Sequence, residues 1–282
     1  MPSWETKLTL LHDYFAKDPD ILLAFLFGSV AKGQETTESD VDIGIYFKPS
    51  GRALEWEEET DYPRENEIWS EIEKIVGRRT DLVILNRAPA TLVYSILEEG
   101  QPIIIKDVPL YWRLFLLISS VAEDFRAFTT DFWTIKQRSA SLNEIDKNRL
   151  IKLIDFLDSE LGDYSKFKNL DQWSYESEAS VRRNLERWAE NIVNASIDVA
   201  KIILASEKKK IPQTYRGILE ELALIDGFDS VLATKLSQFT KLRNILAHEY
   251  LDLRFQQLKK FVDESEPLYR GLVDFTKKFV QK

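Results

Sequence analysis

The chain has 282 residues, no cysteine, two histidines and a formal net charge of −9, with a sequence pI of about 5.0. Apolar residues at 44% and aromatics at 12% are enough for one large or two ordinary cores, which excludes a disordered chain. Disulfides and thiolate metal sites are excluded, His12 and His248 alone cannot build a multi-imidazole site within one chain, and the acidic balance excludes a surface that grips nucleic acid over its whole area.

In chain order, Ser3–Ala16 has the helical spacing of Leu8, Leu11 and Phe15, and Asp18, Pro19 and Asp20 stop it. Ile21–Phe27 is a short continuous apolar run, as in a buried strand. Asp40–Phe47 alternates Val41, Ile43 and Ile45 with Asp40, Asp42, Gly44 and Tyr46, which predicts a period-2 strand. Gly51–Glu65 is acidic and reads as a loop, its run Glu55–Asp61 as solvated. Glu67–Val76 predicts a helix ended by Gly77, and Thr80–Leu85 a third strand. A helix from Pro89 to Glu99 and a short strand Pro102–Ile105 follow.

From Pro109 onward nearly everything has helical periodicity: Leu110–Gln137, Ile145–Leu161, Ser177–Ser206, Tyr215–Leu224, Ser230–Tyr250 and Leu253–Val280. The periodicity breaks at Gln137–Glu144, where Ser139, Ser141 and Asn143 stand. The expectation is an α+β architecture: a mixed sheet with helices over residues 1–138, including a long connecting helix 110–138, and an all-α bundle over 143–282. No apolar run is long enough to cross a bilayer; the richest, Leu110–Val121, is too short and interrupted by Arg113. The start of the chain lacks the basic-then-apolar pattern of a signal peptide, so a cytoplasmic protein without membrane contact is expected.

Two places carry chemistry. Gly28 and Ser29 follow the apolar run directly and precede a short helical turn, where backbone N–H groups can approach a phosphate and Ser29 adds a hydroxyl. Asp40 and Asp42 lie two apart and so share one face of their strand, and Asp81 opens the next strand. Three carboxylates suit a hard divalent cation, Mg²⁺ or Mn²⁺. Asp81 is also placed to deprotonate an attacking hydroxyl. A lone Asp-x-Asp pair is more often a solvated strand face; the added Gly-Ser turn and third Asp argue otherwise.

The pattern Gly28-Ser29-x10-Asp40-x-Asp42 resembles the signature of the minimal nucleotidyltransferases of the polymerase-β type, the MNT proteins. The segments Arg79–Asn86, Ala88–Pro89 and Ile96–Gly100 are similar to the remainder of that fold, so the likeness spans about Trp4 to Arg138. It implies ATP and Mg²⁺ as cofactors, Asp40, Asp42 and Asp81 as catalytic and metal-holding carboxylates, and Gly28 and Ser29 as the triphosphate turn.

The second place is Thr240–Tyr250, TKLRNILAHEY. An imidazole can act as general acid or base, and a guanidinium can hold a phosphate, which together suit metal-free RNA cleavage by the neighbouring 2′-hydroxyl. Positions five apart on a straight helix lie about 140° around the axis. Arg243 and His248 would therefore converge if the helix bends or frays, or if a second chain completes the site.

Arg243 to Tyr250 resembles the R-x4-H-x-Y segment of HepT-type HEPN ribonucleases, and Val181–Glu186, Ile211–Tyr215 and Leu219–Asp226 look like the same family. That likeness covers about Asn143 to Lys282. It implies Arg243 and His248 as the catalytic pair, RNA as substrate and a homodimer through the helical domain. Together, the two resemblances imply a fused toxin–antitoxin in which the first domain adenylylates Tyr250, of the same or a paired chain, and so silences the second. Two other readings stand beside it: a small-molecule nucleotidyltransferase of the aminoglycoside-modifying kind, and a non-catalytic nucleotide-binding dimerisation protein.

Overall fold

A computed structural model describes residues 4–34, 40–51, 54–138, 140–248 and 255–281, with only the backbone of His248. The chain divides into two compact units, Met1–Glu123 and Asp124–Lys282.

In the first unit α1 (Trp4–Lys17), β1 (Ile21–Phe27), α2 (Gly28–Ala31), β2 (Val41–Phe47), α3 (Glu65–Val76), β3 (Thr80–Ile84), α4 (Ala90–Glu99) and β4 (Gln101–Ile105) follow in order, and α5 (Val108–Arg138) starts here. The sheet order is β3-β2-β1-β4. β1 pairs antiparallel with β2 and β4, and β2 pairs parallel with β3. The expected α+β class with a mixed sheet is what the chain forms.

Both faces of this sheet are covered, because its central strands carry apolar residues at nearly every position. Val41, Ile43 and Ile45 join Leu11 and Phe15 of α1 and Ile68, Ile72 and Val76 of α3 in one core cluster. On the other face Leu23, Phe25 and Tyr46 pack with Val93, Ile96 and Leu97 of α4 and with Leu114, Leu117 and Ile118 of α5. The predicted division of β2 into a charged and an apolar face therefore needs correction. Beyond Asp42 the same face is sealed: a Cβ on Gly44 would meet Leu85 at 3.1 Å and Ile96 at 3.2 Å, and Tyr46 is fully buried. Charge is confined to one end of the strand.

The acidic run is solvated only in part: Glu59 to Asp61 are exposed, whereas Glu55 is held by the fold. Glu55 accepts hydrogen bonds from the Ser50 N–H at 2.7 Å, the Ser50 hydroxyl at 2.9 Å, the Tyr62 hydroxyl at 2.7 Å and the Asn86 amide at 3.3 Å. Burial alone would raise its pKa, but these donors outweigh it and hold the carboxylate below the usual range. Asn86 is itself fully buried; it accepts from the Phe47 N–H at 2.8 Å and donates to the Phe47 carbonyl at 3.0 Å. The loop after β2 is thereby stitched to the turn after β3.

The second unit opens with the C-terminal part of α5 and continues with α6 (Glu144–Gly162), α7 (Tyr164–Phe167), α8 (Gln172–Ser177), α9 (Ala179–Ser206), α10 (Tyr215–Glu220) and a 3₁₀ turn (Glu221–Leu224). Then come α11 (Ser230–Ser237), α12 (Thr240–His248), α13 (Phe255–Glu264) and α14 (Glu266–Val280). α9 is the centre. From Ile197 to Ser206 almost every residue is buried, as in a helix packed on all sides.

Phe125, Phe128, Phe132 and Ile135 of α5 belong to this unit's core. The units therefore divide inside α5, and the sequence break at 137–144 is a helix end rather than the unit boundary. Two helices expected to be continuous are split. Pro267, which has no N–H and crowds the carbonyl one turn back, starts α14 afresh after α13. Between α11 and α12 the ladder tightens to 3₁₀-type bonds, the Phe239 N–H donating to the Leu236 carbonyl at 3.1 Å and the Leu242 N–H to that of Phe239 at 3.0 Å. The last residues of the expected helix 230–250, Tyr250 among them, lie outside the described residues.

Candidate functional site

The first candidate site sits where the carboxyl end of β1 meets the amino ends of β2 and β3. Strand register decides who meets whom. Phe27 is opposite Asp42 in the antiparallel pair, and Asp42 is level with Asp81 in the parallel pair. Level residues on neighbouring strands point to the same side of a sheet, so the Asp42 and Asp81 carboxylates are lateral neighbours. Asp40 stands just before β2 and is exposed, as is Asp81; Asp42 is half-buried.

Gly28 has φ +72, the left-handed region, and opens α2 directly from the extended Phe27. A Cβ at this position would lie 2.0 Å from Oδ2 of Asp42. Glycine is thus required twice, for its backbone angle and for the close approach of the Asp42 carboxylate. Ser29 follows in α2, half-buried, and its carbonyl accepts from the Gln34 N–H at 3.0 Å.

Burial raises the Asp42 pKa above its ordinary value, and the charges of Asp81 and Asp40 add to the rise. All three aspartates are therefore close enough for their charges to be felt at one carboxyl group. Among the described residues no three His, Cys, Asp or Glu side chains form a ready metal-ligand group. Nonetheless, the donors are hard oxygens whose mutual repulsion a divalent cation would relieve, so the set fits Mg²⁺ in its chemistry.

The second candidate site lies on α12. Arg243 and His248 both belong to this helix, five positions apart, so their backbone positions lie about 140° around its axis. A single helix does not bring them together. The Arg243 side chain, only 11% exposed, pairs with Asp124 of α5 at 3.0 Å. Its Nε donates to Oδ1 of Asn194 at 3.4 Å, and its guanidinium carbon sits 4.6 Å from the ring centre of Tyr215. Asp124, Asn194 and Tyr215 were not singled out from the sequence. Tyr215 lay in the segment Ile211–Tyr215 that resembles the HEPN family; Asp124 gives no signal, being one acid among several on a long helix. Tyr250, the expected modified residue, lies outside the described residues.

Comparison with protein families gives two matches. Residues 10–108 match the family described as polymerase beta, nucleotidyltransferase, and residues 151–274 match the family described as ribonuclease HepT-like. The first matched stretch is thus a nucleotidyltransferase domain of the polymerase-β type. The second is a HepT-like domain, so one polypeptide joins the two. Comparison with curated proteins yields no significant match. Among solved structures, a crystal structure of a toxin-antitoxin with AMP-PNP is 20% identical, with 44% of this chain and 91% of that chain covered and a TM-score of 0.36. A crystal structure of a toxin-antitoxin MntA-HpeT mutant is 16% identical, with 43% and 90% covered and the same TM-score of 0.36. Among the described residues no helix is long and apolar enough to cross a membrane.

Proposed function

We propose that this chain is a fused toxin–antitoxin: an adenylyltransferase that modifies Tyr250 and thereby silences a ribonuclease built on Arg243 and His248. The observation that carries the first half is the register of Asp42 with Asp81, with the Asp42 carboxylate against Gly28. One turn for phosphates and three carboxylates at one sheet end are the parts that nucleotidyl transfer requires.

In this reading Gly28 and Ser29 receive the triphosphate of ATP. Asp40, Asp42 and Asp81 would hold Mg²⁺, which would supply charge neutralisation at the phosphates. Asp81 takes the proton of the Tyr250 hydroxyl as its oxygen bonds to the α-phosphorus. The bond from that phosphorus to the bridging oxygen breaks, and pyrophosphate leaves. AMP on Tyr250 then places a bulky anion two residues from His248, where it competes with an RNA phosphate for the guanidinium.

Ribonuclease action needs a phosphate-binding cation and a proton-transfer group. Arg243 is the first and His248 the second. His248 takes the proton of the RNA 2′-hydroxyl as its oxygen bonds to the adjacent phosphorus; the bond to the 5′-oxygen breaks, that oxygen takes up a proton, and a 2′,3′-cyclic phosphate is left on the other fragment. The 140° between the two positions on α12 favours a site completed by a second copy of the chain, hence a homodimer.

The test is mass spectrometry of the purified chain after incubation with Mg-ATP. The expected result is one or more AMP adducts on Tyr250 that vanish in Asp42→Ala. Absence of any adduct, with nucleotide binding demonstrated, sinks the adenylylation reading.

A further inference from the structure

Among the described residues, groups from three other helices meet Arg243. Asp124 of α5 pairs with it at 3.0 Å, Asn194 of α9 accepts from its Nε at 3.4 Å, and Tyr215 of α10 lies under its guanidinium at 4.6 Å. The Tyr215 ring is itself fixed. Phe125 and Phe128 pack edge-on against it, at 5.1 Å and 79° and at 5.2 Å and 82°.

We infer that Asp124, Asn194 and Tyr215 are positioning residues that hold the Arg243 guanidinium ready for an RNA phosphate. The inference rests on reading Arg243 as the phosphate-binding group of a ribonuclease. An arginine side chain has many rotamers, and a catalytic one left free would have to be ordered during each turnover. Here the ordering is done by the fold. An aromatic face supports the cation from below, a carboxylate directs Nη2, and an amide oxygen directs Nε.

Asp124 and the two rings that fix Tyr215, Phe125 and Phe128, stand within five positions of one another on α5. They lie between the two stretches that match known families, residues 10–108 and 151–274. The C-terminal part of α5 is therefore more than a connector: it supplies the carboxylate and the two rings that set Tyr215. A role in stability alone would account for an apolar contact at Tyr215. Pairing a largely buried guanidinium also serves stability, so what marks positioning is kcat per folded molecule, which a purely structural role leaves unchanged.

The test uses the full chain carrying Asp42→Ala, which leaves Tyr250 unmodified, and a fluorescent single-stranded RNA as substrate. In that background Asp124→Ala and Tyr215→Leu are expected to lower kcat/KM on the order of 10- to 100-fold, chiefly in kcat, with the pH profile unchanged. Tyr215→Phe keeps the ring face and is expected to keep the rate, and Asp124→Asn, which keeps an acceptor, to recover part of it. If Tyr215→Phe loses as much as Tyr215→Leu, or if kcat per folded molecule is unchanged in both Asp124→Ala and Tyr215→Leu, the inference is overturned. A rise in activity with Asp124→Ala also overturns it, marking the carboxylate as a competitor of the phosphate. Arg243→Ala separates the two levels. Full cleavage by that variant, or none by the Asp42→Ala parent, defeats the ribonuclease reading itself; loss confined to Arg243→Ala defeats the positioning inference alone.

Discussion

Oδ2 of Asp42 occupies the space that a side chain on Gly28 would need, 2.0 Å from an ideal Cβ. Gly28 also has φ +72, so any L-residue there is strained. Gly28→Ala is expected to cost about 1–2 kcal/mol for the backbone angle. The methyl group can be accommodated by rotating the Asp42 carboxylate away, which displaces the carboxylate that the site needs. Transfer should therefore fall on the order of a hundredfold, far beyond what the stability loss explains. Adduct formation measured against urea denaturation checks this; equal losses in both would refute it.

Asp42 presents a trade between stability and activity. Its carboxyl is pushed up by burial first and by Asp81 and Asp40 after that, so the ionised form is disfavoured in the fold. Asp42→Asn removes that penalty and is expected to raise the melting temperature in metal-free buffer while abolishing AMP transfer. A lower melting temperature would mean that the carboxylate has stabilising partners.

Within the second unit Asp131 ties the C-terminal part of α5 to α6 through Arg149 and to α9 through Lys201, at 2.7 and 2.8 Å. Burial would raise its pKa, but hydrogen bonds from Arg149 and Lys201, with their charges, bring it down to about 2. The folded value lies below the ordinary 3.8, so this stabilisation is full above about pH 4 and is lost as the pH falls towards 2. Because the side chain is one-third exposed, solvent screening leaves about 1 kcal/mol at most. Urea denaturation between pH 2 and 5 should show this slope in the parent and a flatter one in Asp131→Asn.

Asn86 ties the end of β2 to the acidic loop. Asn86→Ala would leave both the N–H and the carbonyl of Phe47 without their buried partner, at a cost of about 2–4 kcal/mol. Asn86→Asp should be worse at neutral pH than in acid, since its second oxygen would face Glu55 and the Phe47 carbonyl. Thermal melts at two pH values give the comparison; a pH-independent loss would count against the placement of Glu55.

Expression in cells tests both sites together. Asp42→Ala is expected to arrest growth, whereas the parent chain and the double variant Asp42→Ala with His248→Ala grow normally. Arrest by the double variant would remove His248 from the ribonuclease.

Much of this was readable along the chain because it depends on short-range pattern. The apolar run Ile21–Phe27, the alternation at Val41–Phe47 and the Gly28-Ser29-x10-Asp40-x-Asp42 spacing each lie within one local stretch. Helix breaks were harder. Pro267 stands inside a stretch that is apolar-periodic on both sides, and the 3₁₀-type bonds between α11 and α12 leave no mark in the spacing. Glu55 looked solvated because its partners lie outside the run: Ser50 before it, Tyr62 just past its end and Asn86 thirty-one positions after Glu55.

By itself the sequence determined the two domain types, the Gly-Ser turn, and the candidate residues Asp40, Asp42, Asp81, Arg243, His248 and Tyr250. These follow from residue type, local spacing and the two family resemblances that the spacings carry, all of which the chain keeps wherever it goes. Only the tertiary structure decided that Asp42 is level with Asp81, since register between strands separated by a helix is set by packing on both sheet faces. It also decided that Arg243 is seated on Tyr215 and paired with Asp124, 119 positions earlier. An arginine finds such partners through the helices that a shared core brings together, and no spacing along the chain encodes that meeting.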